Sequence, residues 1–415
     1  MDKPRLRATA AALTALTALV ATGLVAGPAG ASRYGGPCAL ERTAAHHSEG
    51  LDTWNEAYPR PRRNLNAVMV FLSFPDSAPL TTPAELAADY FPATSRFFDR
   101  ASYGRFTLVP HPQRAWLKMP RDSASYGIRR DWDAGRRGAY LRDALAVADP
   151  HTDFSKYDVV YFVADPDAPG VDSDATKVVN FDRPMRADGA DIRRVVTVFE
   201  QHPPDRNVLA HETGHVFDLP DLYHRPSDNK GDWDTYVGDW DVMGSQFGLA
   251  PDFFGWHKWK LGWLDPRQVA CVTRTGATRL TLEPLSTAPR AAGAPFGTGD
   301  GTKLAVVRTG PSSVIALEAR GAGGNDSGTC TQGVLVYRVR SDSSSGGGPV
   351  QVLDAHPDTE ACYGDSVYPA LADAPVGVGE SFTVPGAALR IEATDRTASG
   401  AWTVTVTTGG ALSSP

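Results

Sequence analysis

Hydrophobic positions in the first two thirds of the chain alternate between the spacing of strands and that of helices. Apolar, β-branched runs at residues 66–74, 106–109, 157–164 and 195–199 predict strands. Helical spacing occurs at residues 82–101 and 138–148, and again at 206–217, where Asp205 is the predicted N-cap. Strands that alternate with helices in this way predict an α/β or α+β first domain.

The last third of the chain has almost no helical periodicity. Short β-type runs at residues 304–308, 314–319, 333–339, 388–393 and 401–407 are separated by Gly, Ser, Pro and Asp. This pattern predicts an all-β, sandwich-like domain over residues 266–415. The Ser- and Gly-rich residues 341–348 are typical of a flexible loop.

The N-terminus has the pattern of an export signal. Three basic residues, Lys3, Arg5 and Arg7, precede an apolar stretch at 8–25, and the small residues 29–31 form a cleavage pattern. A membrane anchor is the alternative, but four Thr residues and a Gly-Pro pair interrupt and end the stretch. We therefore expect a signal peptide at 1–31, an extension or short pro-segment at 32–64, and domains at 65–265 and 266–415.

Composition and charge limit the class of partner. The chain of 415 residues is 42% hydrophobic and 21% charged, as in soluble globular proteins, and its formal net charge is -7. This mild acidity argues against nucleic acid or an anionic membrane as the main partner. No later stretch is long and apolar enough to span a bilayer, so we expect a secreted protein with no membrane attachment after signal cleavage. We also expect a monomer.

Four cysteines in an exported chain suggest two disulfides. Proximity in sequence favours a bond between Cys330 and Cys362, which leaves Cys38 for Cys271. A thiolate at Cys38 could alternatively occupy a metal site in a precursor, but a structural disulfide explains this residue more simply.

The clearest chemical signal lies at residues 209–223, which read LAHETGHVFDLPDLY. His211 and His215 are four residues apart on the predicted helix, so both imidazoles project from one face and can bind one zinc ion. Glu212 lies beside His211 and can act as a general base on water. The competing interpretation is a pair of ordinary surface or core histidines.

A third metal ligand is expected just after this helix, because catalytic zinc usually has three protein ligands and a water. Pro220 should end the helix, and a left-handed turn at Asp218 would let the chain double back. The carboxylate of Asp221 would then reach the metal. Asp218 itself, three residues after His215, is the rival ligand.

Several motifs resemble the immune inhibitor A-like family of secreted bacterial metalloproteases. They are H-E-x-x-H followed by Asp221, the segment GDWDVMG at 238–244, and WHKWKLGWL at 256–264. Further similarity occurs at 71–76 and 102–104, so the resemblance covers about residues 65–265. It is weaker at 317–318 and 333–339.

This resemblance implies a zincin- or metzincin-like α+β domain with a mixed, twisted sheet. It implies His211, His215 and Asp221 as zinc ligands, Glu212 as the general base, and Met243 as the turn methionine below the metal. The implied activity is zinc-dependent hydrolysis of peptide bonds in protein or peptide substrates. The sequence departs from the metzincin motif at Asp218, where that motif has glycine.

Other functions and sites compete with this interpretation. The chain could be an inactive zinc-binding homologue, or a protein that binds a surface or polymer through its β domain. Tyr223 or Tyr236 could stabilise an oxyanion, and His257 is expected to be a packing residue. A set of acidic residues could bind calcium, although turn and cap roles explain them as well. These residues are Asp228, Asp232, Asp234, Asp239 and Asp241.

Overall fold

A computed structural model describes residues 36–226, 231–288 and 301–409. The predicted signal peptide, the first residues of the predicted extension and Asp228 lie outside these ranges. Within the described ranges no helix combines the length and apolar character needed to cross a membrane.

A five-stranded sheet, called here the first sheet, lies at the centre of the region that carries the motif. Its strands are β1 (Arg63–Ser73), β2 (Phe106–Lys118), β3 (Val159–Ala164), β4 (Lys177–Ala187) and β5 (Ala190–Val198). Their order is β2-β1-β3-β5-β4. The first four strands in this order are parallel, whereas β4 runs antiparallel to β5. Strand β4 therefore lies at one edge of the first sheet, and an edge strand can pair with another chain.

Helices cover both faces of the first sheet. They are α1 (Pro83–Tyr90), α2 (Ala93–Ala101), α3 (Ser123–Tyr126), α4 (Ala134–Ala148) and α5 (Val208–Val216). Alternate side chains of each strand point to opposite faces. Phe71 and Tyr161 thus join the core that contains α1, α2 and α5, while Val70 and Phe162 join the core that contains α4.

Two helix ends differ from the sequence prediction. The single helix expected over 82–101 is two helices, because Pro92 interrupts it after Phe91. The prediction that Asp205 is an N-cap is wrong. Helix α5 begins only at Val208, after Asn207, so Asp205 lies too far ahead for its carboxylate to reach the free amides of the first turn.

The C-terminal part consists of two further sheets. The second sheet contains β6 (Val269–Cys271), β8 (Leu304–Arg308), β9 (Ser313–Arg320), β10 (Gly333–Arg340) and β11 (Val350–Val352). The third contains β7 (Gly276–Leu282), β12 (Ser381–Thr383), β13 (Leu389–Arg396) and β14 (Trp402–Thr408). Their inner faces share one apolar core that includes Leu317, Val336, Ile391 and Val404.

The second sheet also packs against the first region. Its other face contributes Leu335 and Tyr337 to the core around α6 (Gly255–Leu261), in which Trp256 is fully buried. A remaining short helix, α7 (Pro369–Ala372), follows β11. Because one continuous core crosses residue 265, the C-terminal sheets support the region that carries the motif.

Residues 36–62, called here the N-terminal segment, connect the two parts. Both predicted disulfides are confirmed, and Cys38–Cys271 attaches this segment to the second sheet, while Cys330–Cys362 closes a shorter loop. The thiolate role considered for Cys38 is therefore excluded, because its sulfur is bonded to another cysteine. Glu49 is completely buried, and its carbonyl accepts from the indole nitrogen of Trp256 at 3.1 Å.

Candidate metal centre

Helix α5 places the two histidines of the motif side by side inside the protein. All nine of its residues are buried, as expected for a helix that is surrounded by the sheet and the C-terminal core. The hydroxyls of Thr213 and Tyr161 are 2.8 Å apart, so the helix is also attached to β3 by a polar contact. The imidazole Nε2 atoms of His211 and His215 lie 3.2 Å apart.

Backbone carbonyls hold both imidazoles in one orientation. Nδ1 of His211 lies 2.8 Å from the carbonyl oxygen of Val242, and Nδ1 of His215 lies 2.8 Å from that of Leu219. An Nδ1–H that donates to a carbonyl leaves the Nε2 lone pair free, which is the arrangement found in metal-binding histidines. Both Nε2 atoms therefore face the same point.

The carboxylate of Asp221 reaches that point. Its Oδ1 lies 3.0 Å from Nε2 of His215 and 3.4 Å from Nε2 of His211. In the described part of the chain this trio is the one group of His, Cys, Asp or Glu with the spacing of a metal site. Burial disfavours an imidazolium, yet Asp221 beside it raises the pKa of His215 to about 9, so the site attracts positive charge.

A turn after α5 brings Asp221 back to the histidines. Asp218 has a φ of 66°, and the amide of Leu219 donates to the carbonyl of Gly214 at 3.2 Å. Asp218 thus has the left-handed backbone conformation that ends the helix, a position where glycine is common. The hydroxyl of Ser345 then donates to Oδ2 of Asp221 at 2.9 Å, and it accepts from the Asp221 amide at 2.8 Å.

Asp218, the rival third ligand, is directed away from the histidine pair. Its carboxylate forms an ion pair with Arg42 and lies 2.9 Å from Nδ1 of His47. Its carbonyl accepts from Nζ of Lys260 at 2.8 Å. Although burial raises it, the pKa of Asp218 is lowered to about 2, mainly by the His47 hydrogen bond and the nearby cations. These contacts attach Asp218 to the N-terminal segment, so its carboxylate does not face the histidine pair.

Glu212 lies next to the convergence point and contacts the edge strand. Its Oε2 accepts from the backbone amide of Val178 on β4 at 2.8 Å. Burial raises the pKa of Glu212 above its ordinary value. A buried carboxylate with a raised pKa is suited to accept and return a proton near neutral pH.

Met243 packs directly below the histidine helix. A Cβ atom added to Gly214 would lie 2.3 Å from the sulfur of Met243, so only glycine permits this approach. The preceding Asp241 accepts from the amides of Met243 and Phe254, each at 2.8 Å. These bonds hold in place the loop that contains Val242, whose carbonyl contacts His211.

Asp241 belongs to a buried chain of charges that ends in the N-terminal segment. His257, predicted to be a packing residue, lies 2.9 Å from Asp241 and 2.7 Å from Glu49. Nζ of Lys260 is 3.6 Å from Glu49 and also donates to the carbonyl of Asp218. Burial opposes the charged imidazole, but the two carboxylates raise the pKa of His257 to about 9.

The two tyrosines considered in the sequence occupy different places. The ring of Tyr223 lies nearly parallel to that of His211, with centroids 6.4 Å apart, and it lines a cavity that both histidines and Asp221 also line. The hydroxyl of Tyr236 is 3.0 Å from Nδ1 of His224, away from the histidine pair. Of the two, Tyr223 is therefore the one that lies at the histidine pair.

The acidic residues considered for calcium have other partners. Asp232 accepts from the amide of Asp234, and Asp239 accepts from the amide of Leu249. Asp241 is occupied as described above. Apart from Asp228, which falls outside the described ranges, these carboxylates serve turns and buried contacts. Among the described residues, His211, His215 and Asp221 remain the one group with the spacing of a metal site.

Two cavities meet at His211, Glu212 and Tyr223. One, of about 230 Å³, extends toward β4 and the N-terminal segment, where His46 and Lys177 line it. The other, of about 340 Å³, extends toward Trp233 and Phe247. The convergence point therefore lies at the floor of a cleft that is open on both sides.

Four residues that contribute to the site were not predicted from the sequence. They are Val178, through its backbone amide, and Ser345, Arg42 and His47, through their side chains. Ser345 belongs to the segment predicted to be a flexible loop. The Ser- and Gly-rich composition of that segment gave no indication that Ser345 contacts Asp221. For Arg42 and His47, the sequence offers one signal, the adjacent histidines His46 and His47 in the same extension as Cys38.

Comparisons with known proteins add little to this geometry. No protein-family model and no curated protein matches the chain. Among solved structures, wild-type OgpA from Akkermansia muciniphila matches in two crystal forms, at 10% and 12% identity. The TM-scores are 0.28 and 0.29, over 72% of this chain and 95% and 96% of the other. A likeness this weak supports no argument about the fold or function.

Proposed function

We propose that the protein is a secreted, zinc-dependent endopeptidase. The observation that supports this most directly is the convergence of His211, His215 and Asp221 beside Glu212 at the floor of the cleft. The resemblance to immune inhibitor A-like proteases and a metzincin-like fold belongs to the same proposal. Two disulfides and the predicted signal peptide favour export.

The donor set fits zinc. Two imidazole nitrogens and one carboxylate oxygen are common ligands of catalytic zinc, which leaves a fourth position for water or substrate. The three donor atoms lie 3.0–3.4 Å from one another, so one ion can contact all of them. When bound, zinc would supply Lewis acidity, which acidifies water and polarises a carbonyl.

The residues of this chain would then move the proton. The Glu212 carboxylate would accept a proton from the attacking water as the water oxygen bonds to the carbonyl carbon. It would return that proton to the amide nitrogen as the C–N bond breaks, so that an amine and a carboxylic acid result, and the acid then loses its proton to the amine. Substrate would lie as an added strand along the edge of β4, beside Val178.

The decisive experiment compares Glu212→Gln with the wild type and with Glu392→Gln, a surface control on β13. Each preparation is assayed for zinc content and for cleavage of a denatured protein. We expect one zinc in all three, and cleavage lost in Glu212→Gln alone. Chelation should also abolish wild-type cleavage, and zinc should restore it.

Two results would overturn the proposal in different ways. Wild-type protein that binds zinc but cleaves no denatured protein would indicate an inactive, zinc-binding homologue. Full cleavage by Glu212→Gln would exclude Glu212 as the base, even if the protein is a protease.

A further inference from the structure

A third cavity, of about 360 Å³, lies beside the proposed substrate cleft. It is separated from the cleft by a ridge that consists of Arg206, Asn207, Gln246 and Phe247. The side-chain amide of Asn207 donates to the Gln246 carbonyl at 3.1 Å, and Arg206 donates to the Phe247 carbonyl. Gln246 and Phe247 line the cleft on one side, while Arg206 and Asn207 line this cavity on the other.

Three arginines line this cavity, called here the arginine cavity, and no described Asp or Glu does. Arg96 and Arg100 come from α2, and Arg206 from the ridge. Glycines at 248, 324 and 328 form part of the remaining wall. All three arginine side chains are exposed to solvent.

The arginines of this cavity are not paired with acidic side chains. Arg96 and Arg100 are one helical turn apart, so like charges face each other on one side of α2. No salt bridge is found for any of the three among the described residues, although the whole chain carries 48 acidic against 41 basic residues. Guanidinium groups match the planar oxygens of carboxylates and phosphates. An unbalanced cluster at a concave site is therefore suited to an anionic ligand.

We infer that the arginine cavity binds an acidic segment of the polypeptide substrate. The large side chain of Phe247, 42% exposed on the ridge, lies between the two cavities. A polypeptide that extends from the cleft across Phe247 would place its next residues at the three arginines. The assignment of the ligand as substrate rests on the proposed function, whereas binding of the acidic peptide itself does not.

Binding is tested with full-length Glu212→Gln protein, so that no peptide is cut. The probe is a fluorescein-labelled hexaglutamate, compared with hexaglutamine by fluorescence polarisation. We expect hexaglutamate to bind at least about tenfold more tightly, and the advantage to decrease with salt. Replacement of Arg96, Arg100 and Arg206 with Gln should remove that advantage.

A matched triple variant removes the same charge elsewhere. Arg142, Arg279 and Arg390 are exposed residues of α4, β7 and β13, and none lines the arginine cavity. Their replacement with Gln should leave hexaglutamate binding within about twofold of the parent, apart from a small general charge effect. Equal losses in both triple variants, or no loss in the first, would overturn the inference. Since all six residues are exposed, thermal midpoints should confirm that both variants fold.

Two further measurements distinguish a peptide ligand from a free anion and test whether the ligand is part of the substrate. Inorganic phosphate that competes fully with hexaglutamate at low millimolar concentration would indicate a free-ion site instead of a peptide site. In active protein, an acidic extension on a denatured substrate should lower KM and leave kcat unchanged, and this effect should vanish in the first triple variant. If binding behaves as expected but no substrate is cleaved, the proposed function fails and the anion site remains.

Discussion

The imidazole of His47 lies 2.9 Å from the carboxylate of Asp218 and is stacked on the ring of His215, with centroids 5.7 Å apart. Burial lowers the pKa of His47 to about 4, so this ring is neutral at pH 7 and can donate Nδ1–H to Asp218. A residue of the N-terminal segment is thus attached to the end of the helix that carries the proposed metal ligands. This contact, and the Cys38–Cys271 bond, favour an extension that stays with the mature protein.

We expect Asp218→Ala to weaken zinc binding although Asp218 is not a proposed ligand. Loss of its contacts with Arg42 and His47 would release the turn whose Leu219 carbonyl orients His215. Changes to such outer contacts commonly weaken metal affinity by about 10–100-fold. Competition with a chelator measures the change, and Asp265→Ala, which removes a partly exposed ion pair with Arg105, serves as the control.

Zinc affinity that is unchanged in Asp218→Ala would contradict this role. Equal weakening in Asp265→Ala would show instead that the loss is a general effect of removing an ion pair.

The proposed metal ligands and the general base could be predicted from the sequence because they lie close together along the chain. One helical turn aligns His211 with His215, and a proline after the helix predicts the return of Asp221. The contacts that hold these residues in place could not be predicted, because their partners come from distant segments of the chain. Ser345 is 124 residues from Asp221, and His47 is 171 residues from Asp218.

Strands of the fold were predictable where both faces are buried. The run at 304–308 coincides with β8, and the run at 333–339 is one residue shorter than β10. Strand β4 was not predicted because it is an edge strand with only two buried residues, Val179 and Ala187. That omission matters for function, since β4 supplies the Val178 amide that contacts Glu212.

We expect Gly214→Ala to destabilise the protein because its methyl group would collide with Met243. The contact of 2.3 Å to the sulfur must be relieved by a shift in a fully buried side chain, at a cost of about 1–3 kcal/mol. In a Met243→Ala background the same change should be neutral or favourable, since alanine stabilises helices relative to glycine. Chemical denaturation of the four proteins gives the coupling free energy.

Gly310→Ala is the control for this cycle, since its added methyl group would meet Ser313 at an ordinary 3.8 Å. Additive effects of Gly214→Ala and Met243→Ala would show that the helix and the methionine loop are not packed as described.

The buried imidazole of His257 should make the free energy of unfolding depend on pH. Its pKa is raised from 6.5 to about 9, so its charged form stabilises the folded protein fully below pH 6.5. That contribution, about 3 kcal/mol, should be lost as the pH rises from 6.5 through 9. His257→Gln should abolish this component.

The test is the difference in unfolding free energy between wild type and His257→Gln, measured with a chelator present from pH 6 to 10. Titration of His215 then affects both proteins alike and cancels. The difference should decrease steadily as the pH rises, and a difference that is independent of pH would show that His257 is not charged between Glu49 and Asp241.

Ser345 provides the sharpest test of how the C-terminal part supports the site. Its hydroxyl contacts both the carboxylate and the amide of Asp221, so Ser345→Ala should lower zinc affinity by about tenfold or more. Ser343→Ala is the matched control, because that hydroxyl donates to the Gly347 carbonyl within the same loop. Chelator competition should separate the two variants while their thermal midpoints stay close. If both variants bind zinc as the wild type does, Asp221 either is oriented by the backbone turn alone or is not a ligand, and Asp221→Ala distinguishes these cases by retaining or losing the zinc.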